Sequence, residues 1–146
     1  MIGPAFADTN VLVYARDASE PAKQQKARAW MGHLWDSRMG RLSAQVLEEF
    51  YVTVTQKLRP GMSREAARGD IRALMSWRPV WVDGALLERA FGVQDRFGFS
   101  FWDALIVAGA QAARCRYVLS EDLQADQQID EITVINPFLQ EPGSLP

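Results

Sequence analysis

Short apolar runs alternate with longer amphipathic segments along this chain. The run Ala5-Phe6-Ala7 is followed by the polar triplet Asp8-Thr9-Asn10, which predicts a buried strand that leads into a helix. From Pro21 to about Arg38, apolar residues recur at helical spacing and predict an amphipathic helix; they are Ala27, Trp30, Met31, Leu34 and Trp35.

The same alternation continues to the end of the chain. It predicts, in order, a short strand at Arg41–Ser43, a helix from Ala44 to about Lys57, a helix capped by Ser63 and running to about Met75, a strand at Pro79–Val82, a helix at Ala85–Phe97, a helix from Gly98–Ser100 to about Arg114, and strands at Tyr117–Leu119 and Thr133–Ile135. Strands that alternate with helices predict an α/β fold, a three-layer sandwich with a central parallel sheet.

Composition supports one ordinary folded domain over residues 1–146, because 48% of the residues are hydrophobic and no biased tract interrupts them. No secretory signal and no apolar run near the roughly 20 residues of a membrane span is visible. A lone cysteine, Cys115, suits a reducing compartment, so we expect a cytoplasmic protein. The net charge of −2 does not mark a nucleic-acid binder, but no Lys or Arg follows Arg116.

Four acidic residues are expected at the carboxyl edge of the sheet, where ligand sites of open parallel sheets lie. Asp8 ends the first strand, and Asp122 follows the Tyr117–Leu119 strand after Ser120. Asp103 falls in the first turn of its helix, and Glu49 in the second turn of the helix that begins at Ala44. Acids that are distant in sequence should therefore meet in one place.

Each acid taken singly also has a purely structural explanation. Asp8 could be a helix N-cap, and Asp103 could complete a capping box that begins at Ser100. Taken together, gathered carboxylates repel one another and their pKa values rise unless a cation joins them. Carboxylate oxygens favour a hard ion, Mg²⁺ or Mn²⁺.

Other nucleophile and phosphate chemistries find little support in the sequence. His33 is the only histidine, which excludes a two-histidine ribonuclease mechanism within one chain. A Cys115–His33 pair stays open, although nothing in the spacing supports it. No glycine-rich phosphate loop or dinucleotide fingerprint is present. Metal-assisted hydrolysis is the chemistry that remains.

Four segments, in order and spacing, resemble the PIN-domain nucleases and, within them, the VapC-type toxins of bacterial toxin–antitoxin pairs. These segments are Phe6–Tyr14, Leu42–Phe50, Ser100–Ile106 and Leu119–Gln124, and the closing Val134–Phe138 is also similar. The resemblance implies a toxin that acts as an endoribonuclease, a strand order of 3-2-1-4-5, and a Mg²⁺ or Mn²⁺ site formed by Asp8, Glu49, Asp103 and Asp122.

The resemblance also suggests supporting groups and partners. Polar side chains beside the acids would be Thr9, Asn10 and Ser120. The acid of the second segment immediately precedes an aromatic or aliphatic residue, which selects Glu49 over Glu48, whereas Asp126 departs from the usual pattern. A cognate antitoxin would cover part of the face of Trp30, Met31, Leu34 and Trp35, most of which is expected to be core, and a homodimer is expected.

An RNA substrate needs cations away from an acidic pocket. Arg64, Arg68 and Arg72 recur every fourth residue and could form a phosphate track, extended by Arg59, Lys57 and Arg41. The alternative is a solvated helix face balanced by Glu65 and Asp70. Like charges at this spacing mildly destabilise a helix, so the pattern does not serve helix stability.

Two other functions stay open. A receiver-like phosphoacceptor domain would use Asp8, but it needs a lysine near the end of the last strand, and the lysines are Lys23, Lys26 and Lys57. A PIN-fold binding module without activity is the other alternative, and the presence of all four acids argues against it.

Overall fold

The computed structural model describes residues 1–145. Its strands are β1 (Ala5–Ala7), β2 (Gly40–Arg41), β3 (Tyr117–Leu119), β4 (Gln128–Ile129) and β5 (Ile132–Ile135). Its α-helices are α1 (Thr9–Tyr14), α2 (Pro21–Ser37), α3 (Ala44–Val52), α4 (Arg64–Leu74), α5 (Gly84–Phe97) and α6 (Phe101–Ala112). A π-helical segment, Thr53–Lys57, extends α3, and 3₁₀ turns occur at Met75–Trp77 and Pro142–Ser144.

The strands form one sheet in the order β2-β1-β3-β5-β4. Strands β2, β1, β3 and β5 are parallel, and β4 pairs antiparallel with β5 at one edge. Ala7 lies beside Leu119, and Leu119 lies beside Ile135. The ends of the three strands β1, β3 and β5 are therefore level, which brings the residues that follow them to the same edge. The predicted α/β fold with a mostly parallel central sheet is confirmed.

The predicted strand Pro79–Val82 is reduced to a single parallel bridge between Val80 and Ser43. Val80 donates its N–H to Leu42 and accepts from Ala44 at the outer side of β2. Proline has no N–H to continue such a ladder, and Trp81 is 63% exposed, so the pairing stops there. With this bridge counted as the third predicted strand, the expected order 3-2-1-4-5 agrees with the observed sheet, and β4 is an addition.

Side-chain caps define the starts of the helices that follow the strands and loops. Asp8 accepts from Thr9 at α1, Ser43 accepts from Val46 at α3, Ser63 accepts from Ala66 at α4, and Ser100 accepts from Asp103 at α6. The predicted caps at Ser63 and Ser100 are confirmed. Each cap satisfies one of the backbone N–H groups that a helix leaves unpaired at its first turn.

The core lies between the sheet and the helices on its two faces. Phe6, Trp30 and Phe50 are among its largest buried side chains. Trp30 and Leu34 are buried, Met31 is half-buried and Trp35 is exposed, so the apolar face of α2 is only partly core. Within residues 1–145, no helix is both long and apolar enough to span a membrane.

Candidate active site

Asp8 is the buried centre of the acidic edge. It follows β1 directly, and its own N–H donates to the carbonyl of Leu119 on β3, at 3.0 Å. Its side chain is 6% exposed. One carboxylate oxygen accepts from the N–H of Thr9 and the other from the hydroxyl of Ser120, each at 2.7 Å. The orientation of this carboxylate is therefore held from both sides.

Burial raises the pKa of Asp8 to about 6, because the charged form loses its hydration. The hydrogen bonds from Ser120 and Thr9 act the opposite way, and the negative charges of Asp122 and Glu49 raise the pKa further. The protein therefore holds a carboxylate whose charge is costly near neutral pH. A cation placed beside it would remove that cost.

Ser120 links Asp8 to the second acid. Its hydroxyl donates to Asp8 and accepts from the backbone N–H of Asp122 at 3.1 Å. The amide of Asn10 donates to a carboxylate oxygen of Asp122, also at 3.1 Å. Asp122 is exposed, yet hydrogen bonds with Ser120 and Asn10 hold it in place.

Glu49 and Asp103 approach the same edge from two helices. Asp103 lies in the first turn of α6, where its N–H donates to the hydroxyl of Ser100. Partial burial raises the pKa of Glu49, and the charges of Asp103 and Asp122 raise it further. The side chains of Gln45 and Thr9 lower that pKa. Glu49 is therefore coupled by charge to Asp103 and Asp122, and Asp8 is coupled to Asp122 and Glu49.

Within residues 1–145, no three His, Cys, Asp or Glu side chains are arranged to hold a metal ion by themselves. Among the described residues, two buried amide oxygens beside the acids have no hydrogen-bond partner, those of Asn10 and Gln45. Mg²⁺ keeps several waters and takes one or two carboxylates. An all-oxygen set of spaced carboxylates and unpartnered oxygens fits such a hydrated ion.

The sequence left open the choice between Glu48 and Glu49 and the role of Asp126. Glu48 and Glu49 are both exposed. The charge of Glu49 raises the pKa of Asp8, and the charges of Asp103 and Asp122 raise the pKa of Glu49, so Glu49 belongs to the acidic edge. Asp126 is exposed, adopts a positive φ of 67° and donates its N–H to Val134. Asp126 therefore belongs to the turn before β4.

Sequence reasoning missed Gln45. This residue is 6% exposed and its amide approaches the carbonyl of Trp102 at 3.4 Å. With Glu49, Lys57 and Trp102 it lines a cavity of about 430 Å³ beside the acids. Gln45 precedes Glu49 by four residues, so the two share one face of α3, and that spacing was the signal available in the sequence.

The basic ridge of Arg64, Arg68 and Arg72 lies exposed on α4, as expected. Arg68 donates to the hydroxyl of Tyr51 at 3.1 Å. Asp70, the expected counter-charge, forms a two-pronged ion pair with Arg16 instead, at 2.7 and 2.6 Å. The ridge is therefore not balanced by Asp70.

His33 and Cys115 are not part of the acidic site. His33 packs edge-on against Trp30 within α2. Burial raises the pKa of the Cys115 thiol to about 12, so it stays protonated and is a poor nucleophile. The structure gives no support to a Cys115–His33 nucleophile pair.

The sequence matches the PIN domain family over residues 5–129. The chain therefore belongs to the PIN domain family, the family that its four motif segments resemble. None of the curated proteins compared with the chain matches its sequence.

Three solved structures share the fold. VapC20 of Mycobacterium tuberculosis, described as a sarcin-ricin loop cleaving toxin, has a TM-score of 0.58 and 21% identity over 78% of this chain and 86% of its own. A toxin–antitoxin complex from Klebsiella pneumoniae has a TM-score of 0.58 and 18% identity over 91% and 97%. FitAB bound to an IR36 DNA fragment has a TM-score of 0.65 and 20% identity over 94% and 97%. At these identities the likeness shows a common fold.

Proposed function

We propose that this protein is a metal-dependent endoribonuclease that acts as the toxin of a type II toxin–antitoxin pair. The observation that carries the proposal is the buried Asp8, oriented by Thr9 and Ser120 and electrostatically coupled to Asp122 and Glu49 at the carboxyl edge of a PIN-domain sheet. Mg²⁺ or Mn²⁺ is the proposed cofactor, held by Asp8, Glu49, Asp103 and Asp122.

When bound, such an ion lowers the pKa of a water molecule and neutralises charge that develops on the phosphate. Asp8 is the central ligand, because its carboxylate is the most buried and its orientation is fixed by two hydrogen bonds. Ser120 positions both Asp8 and the backbone of Asp122, and Asn10 holds the Asp122 carboxylate. Glu49 and Asp103 complete the negative charge of the pocket and orient the attacking water.

The cavity beside Glu49 gives the RNA a place to lie. Trp102 is 64% exposed at its rim, where an indole ring can stack on an unpaired base. Lys57 lines the same cavity and supplies a positive charge for a phosphate.

Cleavage of RNA by the purified protein tests this proposal. We expect cleavage that depends on Mn²⁺ or Mg²⁺, stops with chelator and leaves 5′-phosphate and 3′-hydroxyl ends, because water rather than the RNA 2′-hydroxyl attacks. A cyclic phosphate product or full activity in Asp8→Asn would contradict it. Phosphate bound covalently to Asp8 would support the phosphoacceptor alternative instead.

A cognate antitoxin is the proposed protein partner, in keeping with the toxin–antitoxin complex of the same fold. A cavity of about 320 Å³ is the proposed docking site for such a partner. Apolar side chains line it together with charged ones: Leu12, Met31, Trp35, Phe50 and Leu74, with Arg16, Arg28 and Asp70. We expect expression of this chain alone to arrest growth and co-expression with the antitoxin to restore it. A charged substitution at Met31 should keep cleavage in vitro and lose that rescue.

A homodimer in the cytoplasm is the proposed state of the free toxin. An apolar surface at α3 and α4 supports self-association, because Val52, Met75 and Trp81 are exposed there around a cavity of about 330 Å³. Sedimentation of the wild type and of Trp81→Lys measures this. A wild type that stays monomeric at micromolar concentration contradicts the dimer.

A further inference from the structure

A second charged cavity lies at the amino end of β2, on the opposite edge of the sheet from Asp8. It has a volume of about 560 Å³, and three arginines line it: Arg38, Arg41 and Arg78. Trp35, Gly40, Ser76 and Trp77 complete its lining. No acidic residue belongs to that lining.

Two chain reversals bring the arginines together. Arg38 ends α2 with a φ of 60°, and Arg78 ends the 3₁₀ turn Met75–Trp77 with a φ of 54°. Both values are in the left-handed region, which arginine rarely adopts. The Trp77 ring packs so closely on Gly40 that a Cβ there would lie 2.5 Å from it, so this wall of the cavity is tightly fitted.

The three guanidinium groups have no carboxylate partner. Within residues 1–145, the ion pairs involve Arg16, Lys23 and Arg96, and none involves an arginine of this cavity. Arg41 donates to the carbonyls of Arg38 and Gly40, at 3.1 and 2.8 Å, which holds it against the reversal. Like charges that share one cavity repel, and a bound anion would relieve that repulsion.

Aromatic surface accompanies the charge. The Trp35 side chain is 48% exposed, and its ring lies 6.2 Å from that of Trp77 at an angle of 39°. Indole rings beside arginines form the usual platform for unpaired nucleic-acid bases, because the ring stacks on the base while the guanidinium contacts phosphate. The combination matches a nucleotide better than it matches a simple anion.

We propose that this cavity is a second RNA-binding site, in which Arg38, Arg41 and Arg78 contact phosphates of a single strand and Trp35 stacks on one base. The identity of the nucleic acid rests on the proposed ribonuclease function. Because the cavity and the four acids lie at opposite edges of the sheet, it anchors the substrate away from the bond that is cut. The helix caps at Arg38 and Arg78 use backbone N–H groups, so capping does not explain the guanidinium groups.

Binding of a fluorescent single-stranded oligoribonucleotide across a range of salt concentrations tests the site. It is measured without metal in Asp8→Asn protein, so that RNA is bound and not cut. The variant Arg38→Gly/Arg78→Gly removes two charges and keeps the fold, because glycine accepts the left-handed backbone. Each phosphate contact contributes about 0.7 to the salt slope, so we expect the slope to fall by about 1.4. Trp35→Leu should weaken binding about tenfold without changing the slope.

Arg114→Gly is the matched control. Arg114 also has a positive φ, of 56°, and is exposed, but it does not line the cavity. A double variant that binds RNA with the affinity and slope of Arg114→Gly overturns the proposal. Inorganic phosphate and adenosine monophosphate are further probes: binding of the mononucleotide but not of phosphate supports a stacked base, and equal binding of the two overturns the role of Trp35.

Cleavage is scored separately in protein with an intact Asp8. If the double variant keeps the salt slope of its parent while the protein with intact Asp8 cleaves RNA, only the second site is overturned. If the double variant lowers the salt slope but the protein with intact Asp8 does not cleave RNA, only the proposed nuclease function is overturned.

Discussion

The two edges of the central sheet both collect like charges, and they do so in different ways. At the carboxyl edge, Asp8 is buried and two hydrogen bonds of 2.7 Å fix its carboxylate. At the amino edge, Arg38 and Arg78 are exposed and their guanidinium groups have no recorded hydrogen bond within residues 1–145. Rigid, desolvated charge is suited to catalysis, which needs fixed geometry, whereas mobile and hydrated charge is suited to holding a polyanion.

The pKa of Asp8 reflects its burial at the carboxyl edge. Burial raises the pKa of Asp8 to about 6, so the protein gives up stability to keep that carboxylate in place. Arg38 and Arg78 are exposed, so water reaches their guanidinium groups.

Removing the Asp8 charge should have the largest effect. We expect Asp8→Asn to reduce RNA cleavage by more than the roughly 10–100-fold that loss of a supporting residue costs, because the proposed central metal ligand is lost. The rate of cleavage with Mn²⁺ measures this. Asp126→Asn, in the nearby turn, is the control and should retain full activity.

The same substitution should stabilise the metal-free protein. The pKa of Asp8 is raised from 3.8 to about 6, so the folded state binds a proton more tightly than the unfolded chain does. Stability without metal therefore falls as pH rises from about 4 to about 6, by roughly 3 kcal/mol in total. At pH 7, in urea with chelator, Asp8→Asn should be about 1–3 kcal/mol more stable than the wild type. A less stable variant would show that the carboxylate stabilises the fold.

Added metal should stabilise the wild type at the acidic edge. We expect Mg²⁺ or Mn²⁺ at about 100 times its dissociation constant to add roughly 2.7 kcal/mol at pH 7.5. Protonation of Asp8 competes with the ion, so the gain should shrink as pH falls through about 6. Thermal melts with and without metal measure this, and an equal gain in Asp8→Asn would place the ion elsewhere.

Overpacking at the amino edge should lower the stability of the fold without affecting the acids. Gly40→Ala places a Cβ 2.5 Å from the Trp77 ring. Overpacking of this kind costs about 1–3 kcal/mol. We expect a lower urea midpoint with the metal-induced gain unchanged, and loss of that gain would mean that the two edges are coupled.

Breaking the link between two acids should cost less activity than removing the Asp8 charge. Ser120→Ala removes the donor to Asp8 and the acceptor for the Asp122 N–H. Activity should fall about 10–100-fold and the acidic limb of the pH profile should move upward, because this hydrogen bond lowers the pKa of Asp8. Ser144→Ala is the control, because the Ser144 hydroxyl donates to the carbonyl of Glu141, a residue that is not among the four acids.

Much of the fold could be read from local pattern. Some elements depend only on residues that are close together in the sequence. Examples are the apolar run at Ala5–Ala7, the helix caps at Ser63 and Ser100, and the helical periodicity of α2. The strand at Pro79–Val82 was overpredicted, since whether an apolar segment pairs depends on the neighbour that the edge offers. The two-residue β4 is too short to show any period.

The sequence by itself determined which acids follow strands and begin helices, because strand ends and helix starts leave local signals. Only the tertiary structure decided that Ser120 joins Asp8 to Asp122, that Asp70 pairs with Arg16, and that three arginines share a cavity. These contacts join residues that are distant along the chain, and their geometry comes from strand register and helix packing. No local pattern carries that information.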